Sequence, residues 1–309
     1  LSEFGVNTIA AEALLIDTAS IIEVSGRHAV RYLNNRLTND IKRFMDRAPA
    51  QAVAETSDLP NLRAAALSAQ GRVEGLFTLL LGVQRLGGSA TPGGILLVCD
   101  SGAGSEEFVE SLGRYKVADD VHFTVCAELT LVHSSSPDVF SVGCASWDRS
   151  RGIPNGRDVL VPREKVSELS FISQEQATFR RLVSGEPQFG VDFDSDVLLA
   201  ESGFSDAVSF TKGCYVGQEV VARIDALGKP PRVMVRCKVV GGDPIGGEPV
   251  GGVEITTTDT GKRVGELTTS IVRDGNVLAF ALLRNDEGVL SSAKLAVHGR
   301  SLEIIERLA

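Results

Sequence analysis

The periodicity of this sequence changes character at Gly228-Lys-Pro-Pro-Arg232. Beyond it Val233, Val235, Cys237 and Val239 alternate with Met234, Arg236 and Lys238, the two-residue period of a strand with one buried face. Apolar runs follow around Val250 to Thr256, Val264 to Val272, Val277 to Leu283 and Leu302 to Ile305, punctuated by Gly, Asp and Asn, with Asp274-Gly275 as a hairpin signal. Short strands, tight turns and no helical period point to a small antiparallel barrel over residues 229–309. The Gly241 to Gly252 cluster reads as turns between barrel strands, because strand residues and not a helix follow it.

Upstream the two periods are mixed. Ser20 to Val24 reads as a strand, followed by a helix with Ala29, Val30, Leu33 and Leu37 at helical spacing. Leu62 to Ala69 and Val73 to Leu81 form an expected hairpin broken at Gln70-Gly71, and Ile95 to Cys99 is a third strand. A helix from Ser105 carries Phe108, Val109 and Leu112, and Val121 to Val125 returns as a strand. Strands are then expected at 129–132, 139–142 and 159–161, with a helix opened by Pro162 and running through Leu169. Ser173-Gln-Glu-Gln176 has capping-box spacing before another helix that ends near Gly185-Glu-Pro187. The class is therefore α+β.

Several functions are disfavoured at once. Lys and Arg number 31 against 40 Asp and Glu, a net charge of −9 that opposes a sequence-independent hold on a nucleic-acid backbone. The longest uncharged stretches, such as Leu86 to Cys99, are broken by Gly, Pro and Ser and fall short of the roughly 18 apolar residues of a membrane span. Five widely spaced cysteines without a CxxC pair, and histidines scattered over His28, His122, His133 and His298, give no metal pattern. Reduced thiols and no visible targeting segment at Leu1 fit a cytoplasmic protein.

One stretch stands apart, Ala207-Val-Ser-Phe-Thr-Lys-Gly-Cys-Tyr-Val-Gly-Gln-Glu219. Lys212 is a cation two residues from Cys214, where it can favour thiolate, and Gly213 and Gly217 let backbone approach a ligand closely. On spacing alone the alternative stands beside it: the glycines only shape a turn, and Cys214 is a small buried apolar residue.

Lys212-Gly-Cys-Tyr-Val-Gly-Gln-Glu219 closely resembles the KGCYxGQE signature of the YgfZ-type folate-binding family, which includes mitochondrial iron–sulfur cluster assembly factors. Val24-Ser-Gly-Arg-His-Ala29, Leu37-Thr-Asn-Asp-Ile41, Gln70-Gly-Arg-Val73, Gly185-Glu-Pro-Gln-Phe-Gly-Val-Asp-Phe193 and Glu201-Ser-Gly203 are similar, in order, to landmarks of the wider family that contains the glycine cleavage T-protein, an aminomethyltransferase. The resemblance spans essentially the whole chain. It implies a three-lobed fold: residues 1–50 with 128–228 as a discontinuous folate-binding lobe, 51–127 as an inserted α+β lobe, and 229–309 as the C-terminal antiparallel β-barrel.

By the same resemblance, tetrahydrofolate or a derivative is the expected cofactor, bound centrally. Glu201 is expected at the pterin, whose amino group and ring N–H one carboxylate can accept together, and Arg232 near the glutamate tail. Lys212 and Tyr215 complete the expected folate-side set. Cys214, absent from T-proteins, would be the reactive or cluster-facing thiol, and iron–sulfur proteins or their assembly factors the partners. The competing reading is a tetrahydrofolate-dependent aminomethyltransferase or another one-carbon transferase. Against it, the aminomethyltransferases carry paired aspartates where this chain has Glu74-Gly75, leaving Glu74 as the one carboxylate of the loop. A second departure is Leu199, where the family usually has Pro.

Overall fold

The structure, a computed structural model, describes residues 13–47, 59–81, 94–100, 104–149, 151, 153, 155–240, 252–273, 276–291 and 294–308. These fall into two compact units, one made of 13–173 and 206–218, the other of 174–205 and 219–308.

In the first unit β1 (Ala13–Ile16) and β2 (Ser20–Ser25) lead into α1 (Ala29–Arg36) and α2 (Ile41–Arg47). Next come β3 (Asn61–Leu67), β4 (Val73–Leu81), β5 (Ile95–Cys99), α3 (Ser105–Gly113) and β6 (His122–Val125). β7 (Leu129–Ser134), α4 (Pro137–Val142), β8 (Ala145–Asp148) and β9 (Arg157–Pro162) complete it. β3 and β4 pair as the expected hairpin, from Asn61↔Leu80 to Leu67↔Val73. Their sheet has the order β3-β4-β5-β2-β6, so β2 reaches forward in sequence to lie between β5 and β6. A second antiparallel sheet has the order β1-β7-β9-β8. One buried cluster draws on both sheets, with Ile21, Leu80 and Val98 from one and Leu131, Trp147 and Leu160 from the other.

Charged side chains are also buried in this unit, and ion pairs among them offset part of the cost of desolvation. His133 and Asp158 are fully buried and share a 2.9 Å hydrogen bond. Arg151 forks onto Asp158 with two contacts of 2.7 Å and reaches Asp100 at 2.5 Å.

Two expectations need correction here. The strand read at Val139 to Val142 is helix α4, because the Ser136 hydroxyl accepts a hydrogen bond from the Asp138 N–H and Pro137 sits in the first turn, a start signal that outweighs the β-branched residues. The helix read from Pro162 through Leu169 is a 3-10 helix over Arg163–Glu168. None of its residues is buried, so no apolar stripe rewards a full α-helical turn.

In the second unit α5 (Gln174–Ser184) and α6 (Gln218–Leu227) precede β10 (Arg232–Val240), β11 (Val253–Thr257), β12 (Arg263–Arg273), β13 (Asn276–Arg284), α7 (Glu287–Leu290), β14 (Leu295–Val297) and β15 (Arg300–Arg307). The strands close into a six-stranded antiparallel barrel in the order β10-β13-β12-β11-β14-β15, with β10 and β15 paired. The alternation of β10 buries Val233, Val235, Cys237 and Val239 against Ile255, Leu267, Ala281, Leu295 and Leu302. The helical pattern does not end at Arg232 as expected, since Asp286 caps the one-turn α7 by accepting from the Gly288 N–H at 2.9 Å. Asp274-Gly275 and most of the Gly241 to Gly252 cluster lie outside the described residues.

Candidate functional site

The residues singled out by sequence form two groups, each held within one unit. Lys212, Cys214, Tyr215 and Glu74 belong to the first, Glu201 and Arg232 to the second.

In the first unit the signature loop is fastened to the C-terminal end of α1. Lys212 is buried, and its Nζ donates to the carbonyl oxygens of Asn34, Leu37 and Asn39 at 2.5, 2.6 and 2.7 Å. Three N–H donors meet the carbonyl of Asn34 in the last turn, that of the C-cap Leu37 and that of Asn39 just beyond the helix, and a cation there also suits the helix dipole. The Tyr215 ring centroid is 5.0 Å from the same ammonium. Burial brings the Lys212 pKa down to about 8 and pushes that of Tyr215 up to about 12. Lys212 and Tyr215 thus point inward as anchors, while Gly213 and Cys214 stand exposed between them.

Gly217 explains its own place in the signature. Its φ is +84°, and a Cβ there would lie 2.6 Å from the Ser68 carbonyl oxygen and 3.3 Å from the Gly71 Cα. The loop therefore packs against the turn between β3 and β4, and the Val216 N–H donates to the Asn35 carbonyl at 3.2 Å. The Leu37-Thr-Asn-Asp-Ile41 landmark holds the same region. The Thr38 hydroxyl donates to the Ala207 carbonyl at 2.5 Å and accepts from the Ala65 N–H at 2.8 Å. Asn39 donates to the carbonyls of Arg63 and Asp206 at 2.8 and 2.9 Å.

Glu74 lies on this unit too, but its carboxylate is committed. It accepts from Arg36 at 2.5 Å, Ser111 at 2.9 Å and Arg114 at 2.6 Å. Burial lowers the Arg36 pKa, and Glu74 works against that shift. The position after it, Gly75, has no room for a side chain: a Cβ would meet the Phe77 ring at 2.7 Å and the Phe108 ring at 3.1 Å.

In the second unit Glu201 and Arg232 are brought together. Glu201 closes a 3-10 turn over Leu199–Glu201, and Arg232 is the first residue of β10. Glu201 is 1% exposed, and four donors converge on it. Oε1 accepts from the Arg232 backbone N–H and from Arg232 Nε, both at 3.1 Å. Oε2 accepts from the Leu198 N–H at 3.0 Å and from Arg232 Nη2 at 2.8 Å. Nη2 also donates to the Asp196 carbonyl at 2.8 Å. The bond to Glu201 raises the Arg232 pKa further. Arg232 and Asp196 line one side of a cleft of about 310 Å³ walled also by Phe193, Val197, Leu267 and Leu282.

The neighbouring landmark is structural. Asp192 is buried, pairs with Arg181 and accepts from the Gln188 N–H at 2.6 Å. Gly203, at φ +85°, lets Leu308 approach so closely that a Cβ would be 2.9 Å from the Leu308 Cβ. Sequence reasoning did not single out Arg36 or Asn34, whose roles arise from contacts with residues distant in sequence. Among the described residues no group of three or more His, Cys, Asp or Glu side chains is placed to hold a metal ion.

No protein-family model matches the chain. It is 27% identical over 300 residues to human "Iron-sulfur cluster assembly factor IBA57, mitochondrial", covering 88% of this chain and 77% of that protein. The mouse protein of the same description is 34% identical over 130 residues, 41% of this chain and 34% of that one. Among solved structures, the glycine cleavage system aminomethyltransferase T from Bartonella henselae superposes with a TM-score of 0.69 over 96% of this chain and 85% of that one, at 15% identity. That likeness establishes the fold.

Proposed function

We propose, from its likeness to the IBA57 assembly factors and the T-protein fold, that this chain is of the YgfZ/IBA57 type and supports the assembly or repair of iron–sulfur enzymes, with Cys214 as the thiol that meets the cluster or its carrier. The observation that carries this reading is the build of the signature loop. Its lysine and tyrosine are anchored inside while its cysteine is presented outside on a fixed backbone. One thiol is too few ligands for a cluster, so the remaining ligands come from the partner. The test is restoration of iron–sulfur enzyme activity in cells lacking their own factor of this type. The wild-type chain should restore it and Cys214→Ser should not, with Cys144→Ser as the control. Full restoration by Cys214→Ser would remove the cysteine from the function.

We further propose that a reduced folate binds at Glu201. The chemistry of the residues suits a pterin, because the carboxylate already accepts a coplanar pair of N–H donors from Arg232, the array that a pterin's amino group and ring N–H present. Bound there, the folate would supply one-carbon chemistry, and this chain would contribute recognition. Arg232 shares this carboxylate within the second unit, whereas Lys212 and Tyr215, which the resemblance also puts on the folate side, belong to the first unit and anchor the signature loop there. Calorimetry with tetrahydrofolate should give saturable heats that weaken in Glu201→Gln.

The cytoplasm is the proposed compartment, although the human and mouse relatives are described as mitochondrial; fractionation of the source cells decides it. Among the described residues no helix is long and apolar enough to cross a membrane. The three-lobe partition, 1–50 with 128–228, 51–127 and 229–309, belongs to the same proposal and is tested by limited proteolysis. The aminomethyltransferase alternative would rest on Glu74, whose carboxylate is tied to two arginines and a serine.

A further inference from the structure

We infer that Arg232 is an internal stand-in for the ligand at Glu201, so that binding there is an exchange of one planar donor pair for another and Arg232 sets the threshold a ligand must pass. This rests on the folate reading above and adds to it the chemical class that can enter and the residue that keeps others out.

A carboxylate has about four lone-pair sites. On Glu201 all four are filled, two by backbone N–H groups and two by the Arg232 guanidinium. A ligand cannot add to this set; it has to replace a member. The backbone donors are fixed by the 3-10 turn and by β10, so the guanidinium is the part that can leave. Its Nε–H and Nη2–H form a coplanar pair on an N–C–N unit. The 2-amino-4-oxopyrimidine edge of a pterin carries the same unit, a ring N–H beside an amino group on one carbon.

Arg232 also controls access. Glu201 is 1% exposed and does not line the 310 Å³ cleft, whereas Arg232 borders that cleft and bonds the carboxylate. Withdrawal of the guanidinium would open the carboxylate to a space at the lower end of the roughly 300–1,000 Å³ typical of small-molecule sites. Phe193, Val197, Leu267 and Leu282 supply apolar walls for a flat heterocycle. A buried carboxylate that loses two donors must regain two, so a heterocycle without the amino and ring N–H pair is rejected by the cost of leaving Glu201 underbonded.

The experiment titrates the full chain with tetrahydrofolate by calorimetry and with ethylguanidine by thermal shift, in wild type, Arg232→Met and Arg232→Met with Glu201→Gln. Arg232→Lys, which keeps the charge but cannot fork, serves if the methionine variant folds poorly. Tetrahydrofolate should bind Arg232→Met at least about tenfold tighter than wild type. Ethylguanidine should raise the unfolding temperature of Arg232→Met and leave that of the wild type and the double variant unmoved. If tetrahydrofolate binds the variants no more tightly than wild type and ethylguanidine has no effect, the exchange is overturned while folate binding stands. If ethylguanidine binds Arg232→Met and tetrahydrofolate binds no form, the donor-pair seat stands and the folate reading falls.

Discussion

Lys212 Nζ lies 2.5 Å from the carbonyl oxygen of Asn34, a residue 178 positions earlier in the chain. The side chain of Asn34 in turn accepts from the Ile41 and Lys42 N–H groups at 3.0 and 3.3 Å, so one residue joins the end of α1, the start of α2 and the signature loop. Replacing Lys212 by Met would leave three carbonyls without their donor. The expected cost is about 2–3 kcal/mol, measured by denaturant unfolding. Burial lowers the Lys212 pKa from 10.5 to about 8, so between those values the unfolded chain binds more protons and the contribution of this group to stability rises with pH. Wild type should therefore gain on Lys212→Met from pH 8 to 10.5; a difference that does not change with pH would contradict the assignment.

Cys214 should be the first thiol alkylated by iodoacetamide, read by timed peptide mapping. It is exposed, whereas Cys99, Cys126 and Cys237 are buried. Burial pushes the Cys144 pKa up to about 11 and that of Cys237 up to about 12, which suppresses their thiolates. Earlier labelling of Cys144 would count against the exposed loop.

Gly75→Asp should not install a second loop carboxylate. Phe77 is 1% exposed and packs edge-on against Phe108 with ring centroids 5.3 Å apart, in the space that the new side chain would need. Overpacking and a buried carboxylate together should cost about 3 kcal/mol or more, with no tetrahydrofolate-dependent release of ammonia from an aminomethylated lipoyl carrier. A stable, active variant would revive the aminomethyltransferase reading.

The buried network around Asp158 should set acid stability. Burial alone would raise its pKa, but Arg151, His133 and Arg149 hold it well below the usual carboxylate range. Asp100 is likewise brought from 3.8 to about 2 by Arg149 and Arg151 against the opposing effect of burial. Depressed carboxylates contribute stability that is present above the unfolded value and lost as pH falls through the folded one. Asp158→Asn should cost about 3–5 kcal/mol at pH 7. Circular dichroism should show that this cost shrinks as the pH drops from 4 towards 2.

The barrel was legible in the sequence because a one-sided strand writes its period into the chain, as β10 does with Val233, Val235, Cys237 and Val239. The β3–β4 hairpin was legible for its apolar runs and its Gln70-Gly71 turn. Helix α4 was not, because a serine–proline start competes with valines whose propensity points the other way. β1, β8, α2, α6 and β14 escaped because their short or weakly periodic runs acquire meaning only from neighbours. At the candidate site, Lys212, Tyr215 and Cys214 could be named from the loop, but which of them faces inward could not. That depends on carbonyls at the end of α1, and no local pattern encodes them. Arg36 was invisible for the same reason, since its partner Glu74 lies 38 residues away.

Closure of the barrel places a demand on synthesis. β10 pairs with β13 on one side and with β15 on the other, and Arg236 faces Glu306 seventy residues later. A ribosome delivering the chain from its N-terminal side therefore presents β10 with one edge unpaired until β15 has emerged. Contacts of such long sequence separation form slowly, and an open apolar edge invites pairing with the wrong strand. The second unit can thus reach its native pairing only after residue 307 has left the exit tunnel, and until then the open edge of β10 needs protection during translation.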